Sequence, residues 1–155
     1  MTPAITTVSK TKVQHRVHEY EHDNSSESYG EEAAEKLRLD PARVFKTLVV
    51  KIDDRQFIVG IVAVSHQLNL KLLARALGAK KAAMAQANDA EKVTGYVLGG
   101  ISPLGQKKKL ETVIDTSATV FDTIFVSAGR RGLEIELAPD DLRSLTRGIF
   151  ADISK

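Results

Sequence analysis

Cysteine is absent from the 155 residues. That excludes disulfides, thiolate metal ligands and a cysteine nucleophile, and it fits a cytoplasmic protein. No apolar run approaches the ~20 residues that a membrane-spanning helix needs, so no membrane partner is expected. The opening Met1-Thr2-Pro3-Ala4 has no basic flank followed by an apolar stretch, which argues against a secretory signal. Charge of one sign is missing too. Lys and Arg number 22 against 20 Asp and Glu, a net of +2, which excludes a strongly basic surface over the whole molecule but not local patches. Apolar residues at 43% and charged residues at 27% describe a globular chain rather than a disordered one. The length suits one domain, residues 1–155, around a single core.

Helix and strand patterns alternate. Thr2-Pro3 supplies an N-cap with proline at the first helical position and predicts a short helix to about residue 12. Residues 13–21 are strand-like, 24–28 are a polar loop, and 31–39 read as a helix before Asp40-Pro41 turns the chain. Residues 44–52 and 56–64 are apolar strands around Asp53-Asp54-Arg55 and predict a hairpin. Asn69 can cap a helix with Leu70, Leu73, Ala74 and Leu77 as its apolar stripe and Gly78 as its stop. A weaker helix is expected over 88–93. Strands follow at 112–114, 123–127 and 133–138, the last two joined by Gly129-Arg130-Arg131-Gly132, and Pro139 opens a final helix of about two turns. Hairpins with helices between them predict an α+β fold with a mixed or largely antiparallel sheet. A doubly wound parallel sheet is disfavoured, because the strand pairs at 44–64 and 123–138 leave no room for a crossover helix.

Two segments about fifty residues apart carry chemistry. In Val44-Phe45-Lys46-Thr47-Leu48 a lysine interrupts an apolar run. Alternate residues of a strand share a face, so Lys46 lies with Val44, Leu48, Val50 and Ile52. Either its stem covers apolar surface while the ammonium reaches water, or the ammonium stands at a pocket mouth to meet phosphate or a polarised oxygen. The second segment, Gly99-Gly100-Ile101-Ser102-Pro103-Leu104-Gly105-Gln106, opens directly onto Lys107, Lys108 and Lys109. It is neither a Walker loop nor a dinucleotide motif. Its glycines permit positive φ and close approach, and the lysines are either a solvated face or a phosphate contact. Arg130 and Arg131 at their hairpin tip pose the same choice. A cleft holding Lys46 and lined by 99–103 is expected.

Other chemistry is thin. His15, His18 and His22 would share a face on a helix, but on the strand expected here His15 and His18 point to opposite sides, so no metal site is assigned. No serine nucleophile elbow is present. Tyr20 and Tyr29 are either core aromatics or pocket wall.

Residues 44–48, the run from Thr94-Gly95-Tyr96 through Lys107-Lys108, and Phe125-Val126-Ser127-Ala128-Gly129-Arg130-Arg131-Gly132-Leu133 resemble the YbaK/EbsC family, more narrowly its YbaK-type Cys-tRNA(Pro) deacylases. The resemblance covers essentially the full chain and includes Tyr20-Glu21-His22-Asp23. The family is related to the editing domain inserted in bacterial prolyl-tRNA synthetases. The resemblance implies a curved or barrel-like mixed sheet surrounded by helices. It also implies trans-editing, the removal of cysteine from mischarged Cys-tRNA(Pro), and of Cys-tRNA(Cys) as a further substrate, through attack by the substrate's own thiol. By motif, Lys46, Gly99 and Gly100 fall at the reacting ester. Tyr20, Tyr29, Thr47, Ile101, Ser102, Pro103, Ser127 and Glu134 fall at the substrate pocket. Glu134 stands where close relatives carry aspartate, which keeps the charge and alters the reach. Lys107, Lys108, Lys109, Arg130 and Arg131 fall to tRNA.

An aminoacyl ester is already activated, so holding it and polarising its carbonyl can suffice, with no cofactor and no metal. The implied partners are aminoacyl-tRNA, tRNA(Pro) above all, and prolyl-tRNA synthetase, with no DNA. Two alternatives stay open: water-dependent editing of another small aminoacyl-tRNA such as Ala-tRNA(Pro), and a non-catalytic tRNA- or synthetase-binding module.

Overall fold

Thr2 caps the first helix, α1 (Pro3–Ser9), its hydroxyl accepting from the Ile5 amide at 3.2 Å. The helix ends earlier than its pattern suggested. The Thr11 hydroxyl donates to Val8 O at 2.7 Å and accepts from the Val13 amide at 3.2 Å, which offers the backbone an alternative to another helical turn. The computed structural model describes residues 1–23 and 29–155, so the polar loop expected at 24–28 lies outside the described residues.

Strand β1 (His15–Glu19) is followed by α2 (Tyr29–Lys36) and a 3-10 turn, Pro41–Arg43. The expected hairpin is β2 (Phe45–Ile52) against β3 (Gln56–Ala63), antiparallel, with Lys46 opposite Val62. Its tight turn puts Asp53 and Asp54 at φ 50° and 58°, a left-handed conformation that Asp tolerates better than most side chains. Asn69 caps α3 (Leu70–Ala76) by accepting from the Leu72 amide at 3.1 Å. Then come β4 (Ala82–Met84), α4 (Ala87–Thr94), β5 (Glu111–Asp115), β6 (Ile124–Ser127), β7 (Leu133–Leu137), α5 (Pro139–Thr146) and β8 (Ile149–Ala151).

The described strands form two sheets. One is antiparallel, ordered β1-β7-β6; the other is mixed, ordered β4-β2-β3-β5-β8, with β3, β5 and β8 mutually parallel. The architecture is the expected mixed α+β one. The sheets do not close into a barrel; a single parallel bridge, Val44 to Phe125, joins them where β2 begins.

The larger sheet is buried on both faces, which is why its hairpin reads as near-continuous apolar sequence. Phe45, Val49, Val59 and Ile61 face Ile124, Val126, Ile135 and Leu137 of the smaller sheet. On the opposite face Val50, Ile52, Ile58 and Val62 pack under Leu73 of α3. A third cluster seats Ala33 and Ala34 of α2 against Val44, Val64 and Phe125. The parallel step from β3 to β5 requires a long crossover, and the glycine-rich segment lies within it.

Candidate functional site

Where the two sheets meet, a cavity of about 340 Å³ opens. Lys46 stands on the face of β2 that packs under α3, at the end where that apolar face runs out into the cavity. Burial lowers its ammonium pKa below the ordinary lysine value, and the Glu31 carboxylate pulls the other way. Thr47 beside it has a buried hydroxyl with no hydrogen-bond partner among the described residues.

The opposite wall comes from the small sheet. β7 alternates Leu133, Ile135 and Leu137 into the core with Glu134 and Glu136 on the other face. Ser127 is paired with Glu134 across β6 and β7, so both stand on that face, and both line the cavity with Tyr20. Glu134 is only 6% exposed, and its carboxyl makes no hydrogen bond or ion pair among the described residues. Burial pushes its carboxyl up to about 8, and no cation among the described residues holds it lower. Burial likewise raises the Tyr20 phenol, with Glu134 and Glu32 adding to the rise, so it remains an O–H donor. The Ser127 oxygen accepts from the Gly129 amide at 3.1 Å.

The glycine-rich segment forms the third wall through Leu98, Gly99 and Ile101. Val97 to Gly100 is a tight turn with Gly99 at φ 93°, closed by Gly100 N–H donating to Val97 O at 2.9 Å. Glu91 of α4 accepts from the Leu98 amide at 2.8 Å and fixes the tip. Beyond it the Tyr96 hydroxyl donates to Leu104 O at 2.6 Å, and the Gln106 side chain donates to Ser102 O at 2.9 Å. The Tyr96 phenol, pushed up to about 12 by burial, stays a donor. The segment is therefore braced from behind.

The structure thus brings Tyr20, Lys46, Thr47, Gly99, Ile101, Ser127, Arg130, Arg131 and Glu134 together. It does not place every expected residue there. Gly100 lies behind the wall, its N–H engaged in the turn and its Cα against Arg130. Gly99 and Ile101 retain N–H groups without acceptors among the described residues. Ser102 is buried and takes the Leu104 amide on its hydroxyl at 3.2 Å. Pro103 lines a separate hollow of about 480 Å³ together with Lys108, Lys109 and Arg147. Lys107 is exposed, its amide donating to Thr94 O at 2.9 Å. Tyr29 opens α2, and its side chain lies outside the described residues.

The three N-terminal histidines have separate partners. His15 Nδ1 bonds Val13 O at 2.9 Å, His18 Nε2 bonds Glu136 at 2.8 Å, and His22 Nδ1 bonds Glu32 at 2.6 Å. The pairing of His22 with Glu32 was not legible in the sequence, since acidic residues are ordinary in the first turn of a helix.

A braced glycine turn, a half-buried lysine and a buried carboxyl around a mostly apolar cavity have the chemistry to hold a small ester with an anionic continuation. The chain belongs to the aminoacyl-tRNA editing domain family, whose model matches residues 24–145. It is 40% identical over 153 residues, 99% of this chain and 93% of the relative, to EbsC of Enterococcus faecalis, provisionally named a Cys-tRNA(Pro)/Cys-tRNA(Cys) deacylase. It is 31% identical over 97 residues to a proline–tRNA ligase of Trichlorobacter lovleyi, which covers 63% of this chain and 17% of the ligase. A crystal structure provisionally described as a trans-editing enzyme for prolyl-tRNA synthetase shares the fold with a TM-score of 0.85 at 20% identity, covering 100% of this chain and 99% of that one. The YbaK/EbsC resemblance of the motifs is thereby shown.

Proposed function

We propose that this protein is a trans-editing deacylase that frees tRNA(Pro) from cysteine, with the substrate's own thiol as nucleophile. The observation that carries this reading is the cavity's composition. It holds cations, amide donors and a buried carboxyl, and among the described residues no histidine lines it to activate Ser127 or Thr47. Identity to EbsC and to part of a proline–tRNA ligase supports cysteine and tRNA(Pro) as the substrate, with prolyl-tRNA synthetase as the working partner. Residues 1–155 then act as one editing unit, since Tyr20, outside the matched span, lines the same cavity.

In this mechanism Lys46 holds the terminal adenosine's phosphate or ribose oxygens. The Gly99 and Ile101 amides polarise the ester carbonyl, a task that Gly100 cannot share. The cysteinyl thiol gives its proton to the minor fraction of Glu134 that is ionised near neutral pH, a carboxyl whose raised pKa of about 8 lies close to that of a free thiol. The sulfur attacks the carbonyl carbon, the bond to the ribose 3′ oxygen breaks, and the proton on Glu134 passes to that oxygen. A cyclic thioester and free tRNA result, which makes the reaction lyase-like. The apolar lining suits a small side chain, and the site fits the cytoplasm, where aminoacyl-tRNA is found.

The test is turnover of purified Cys-, Ser- and Ala-tRNA(Pro). Cysteine and serine are nearly isosteric, and pockets separate such ligands poorly by size. A cysteinyl rate at least about a hundredfold above the seryl and alanyl rates, with the cyclic thioester seen by mass spectrometry, is expected because only the thiol can attack. Equal rates on all three would assign the attack to water. No turnover with any would leave a tRNA-binding module.

A further inference from the structure

Beside the cavity three side chains form a relay that the reaction above does not use. Glu32, on the first turn of α2 and 4% exposed, accepts from His22 Nδ1 at 2.6 Å and from the Asp23 amide at 2.8 Å. His22 Nε2 meets Arg131 Nη1 at 2.7 Å. A guanidinium can only donate, so Nε2 must accept, and the ring proton sits on Nδ1, facing Glu32. Burial alone would raise the Glu32 carboxyl, but the bonds from His22 and Asp23 outweigh it and keep it ionised. The relay therefore has a direction: a buried anion fixes the imidazole, and the imidazole fixes the guanidinium.

Arg131 lines both the cavity and the shallow groove outside it, which also includes Arg130. The helix that carries Glu32 packs closely on the sheet. Gly30, two residues before Glu32, lies so close to β3's end that a Cβ there would fall 2.3 Å from Val64 Cγ1. The same helical turn supplies Glu31, whose field acts on Lys46. One short segment thus disposes two cations about the cavity.

Resting on the deacylase reading, we infer that Glu32 and His22 are positioning residues that aim Arg131 at a backbone phosphate of the tRNA 3′ end. A mobile arginine would lose side-chain freedom on binding; one already held by His22 loses less. The competing role is a staple that merely ties the segment after β1 to α2.

A double-mutant cycle on His22 and Arg131 separates the two roles. The variants are His22→Leu, Arg131→Gln, their combination, and His22→Gln, whose amide can both donate to Glu32 and accept from Arg131. Binding to an uncharged acceptor hairpin ending in CCA is followed by anisotropy across salt concentrations, and KM and kcat are measured on the cysteinylated hairpin. Each single loss should weaken binding about tenfold, the scale of a charge-assisted contact, and raise KM more than it lowers kcat. The salt slope should flatten by about 0.7, one single-strand phosphate. The double variant should be no weaker than either single one, and His22→Gln should recover most of the loss. With 3′-cysteinyl-adenosine, which has no phosphate, the losses should be smaller. Additive losses, an unchanged salt slope, or equal losses on cysteinyl-adenosine would establish the staple instead. If His22→Leu does not fold, Arg131→Gln decides through its salt slope and its losses on hairpin against cysteinyl-adenosine, and His22→Gln shows whether a side chain that keeps both hydrogen bonds keeps the binding. The hairpin binding needs no turnover, so a parent that deacylates nothing would end the deacylase reading and still leave the relay decided.

Discussion

Glu134 is the residue whose ionisation most separates the folded from the unfolded chain. Its carboxyl titrates at an ordinary 4.5 when exposed and at about 8 in the cavity. Between those values the folded protein binds a proton that the unfolded chain has released, so stability falls as pH rises through that window. Glu134→Gln removes the titration while keeping shape. It should raise the melting temperature at pH 8 and change it little at pH 5, while lowering kcat by about a hundredfold or more if the carboxyl handles the thiol proton. A variant whose melting temperature tracks the parent at both pH values would show that the carboxylate has a partner in solution. Lys46 illustrates the opposite sign. Sequence left two readings open for it, a snorkelling stem or a pocket ammonium, and strand alternation could not choose. The structure shows a half-buried ammonium that burial disfavours, placed on the cavity wall.

At the scale of elements, the site depends on how closely the glycine turn approaches the β6–β7 turn. Gly100 makes that approach: a Cβ there would stand 2.8 Å from Arg130 Cα, a backbone atom that cannot swing aside. Gly100→Ala should therefore destabilise by about 1–3 kcal/mol, as overpacking does, and weaken hairpin binding by displacing Arg130 and Arg131 together. Melting and anisotropy on the same sample check both; loss of stability with unaltered affinity would uncouple the turns. The type of residue was legible here, but its role was not. The sequence showed that 99–103 could approach a ligand closely, yet which amide closes the turn and which faces the cavity is a matter of φ. The hairpin of β2 and β3 was legible because long apolar strands and an Asp-Asp turn agree. β4 and β8 were not, since three residues carry no period and each exists only by pairing with a longer neighbour. The relay was equally hidden. His22 and Arg131 are 109 residues apart, and only the pairing of β1 with β7 brings them together.

Over the whole molecule a net charge of +2 conceals a division of cations. Lys46, Arg130 and Arg131 surround the ester cavity, while Lys108, Lys109 and Arg147 surround the second hollow. The braced segment separates them, with Ile101 on one side and Pro103 on the other. A polyanion whose 3′ end enters the cavity can continue past that wall onto the lysines, and the near balance of charge elsewhere keeps the rest of the surface from competing for it. Replacing Lys107, Lys108 and Lys109 with glutamine should weaken hairpin binding and flatten its salt slope by about 0.7–0.9 for each lysine that meets a phosphate. It should do so additively with Arg131→Gln, because the braced segment stands between the two groups. A slope identical to the parent's would remove the lysines from the footprint and confine tRNA to the arginine side. Strong non-additivity would mean that one phosphate is shared across the wall, and that the segment moves when tRNA binds.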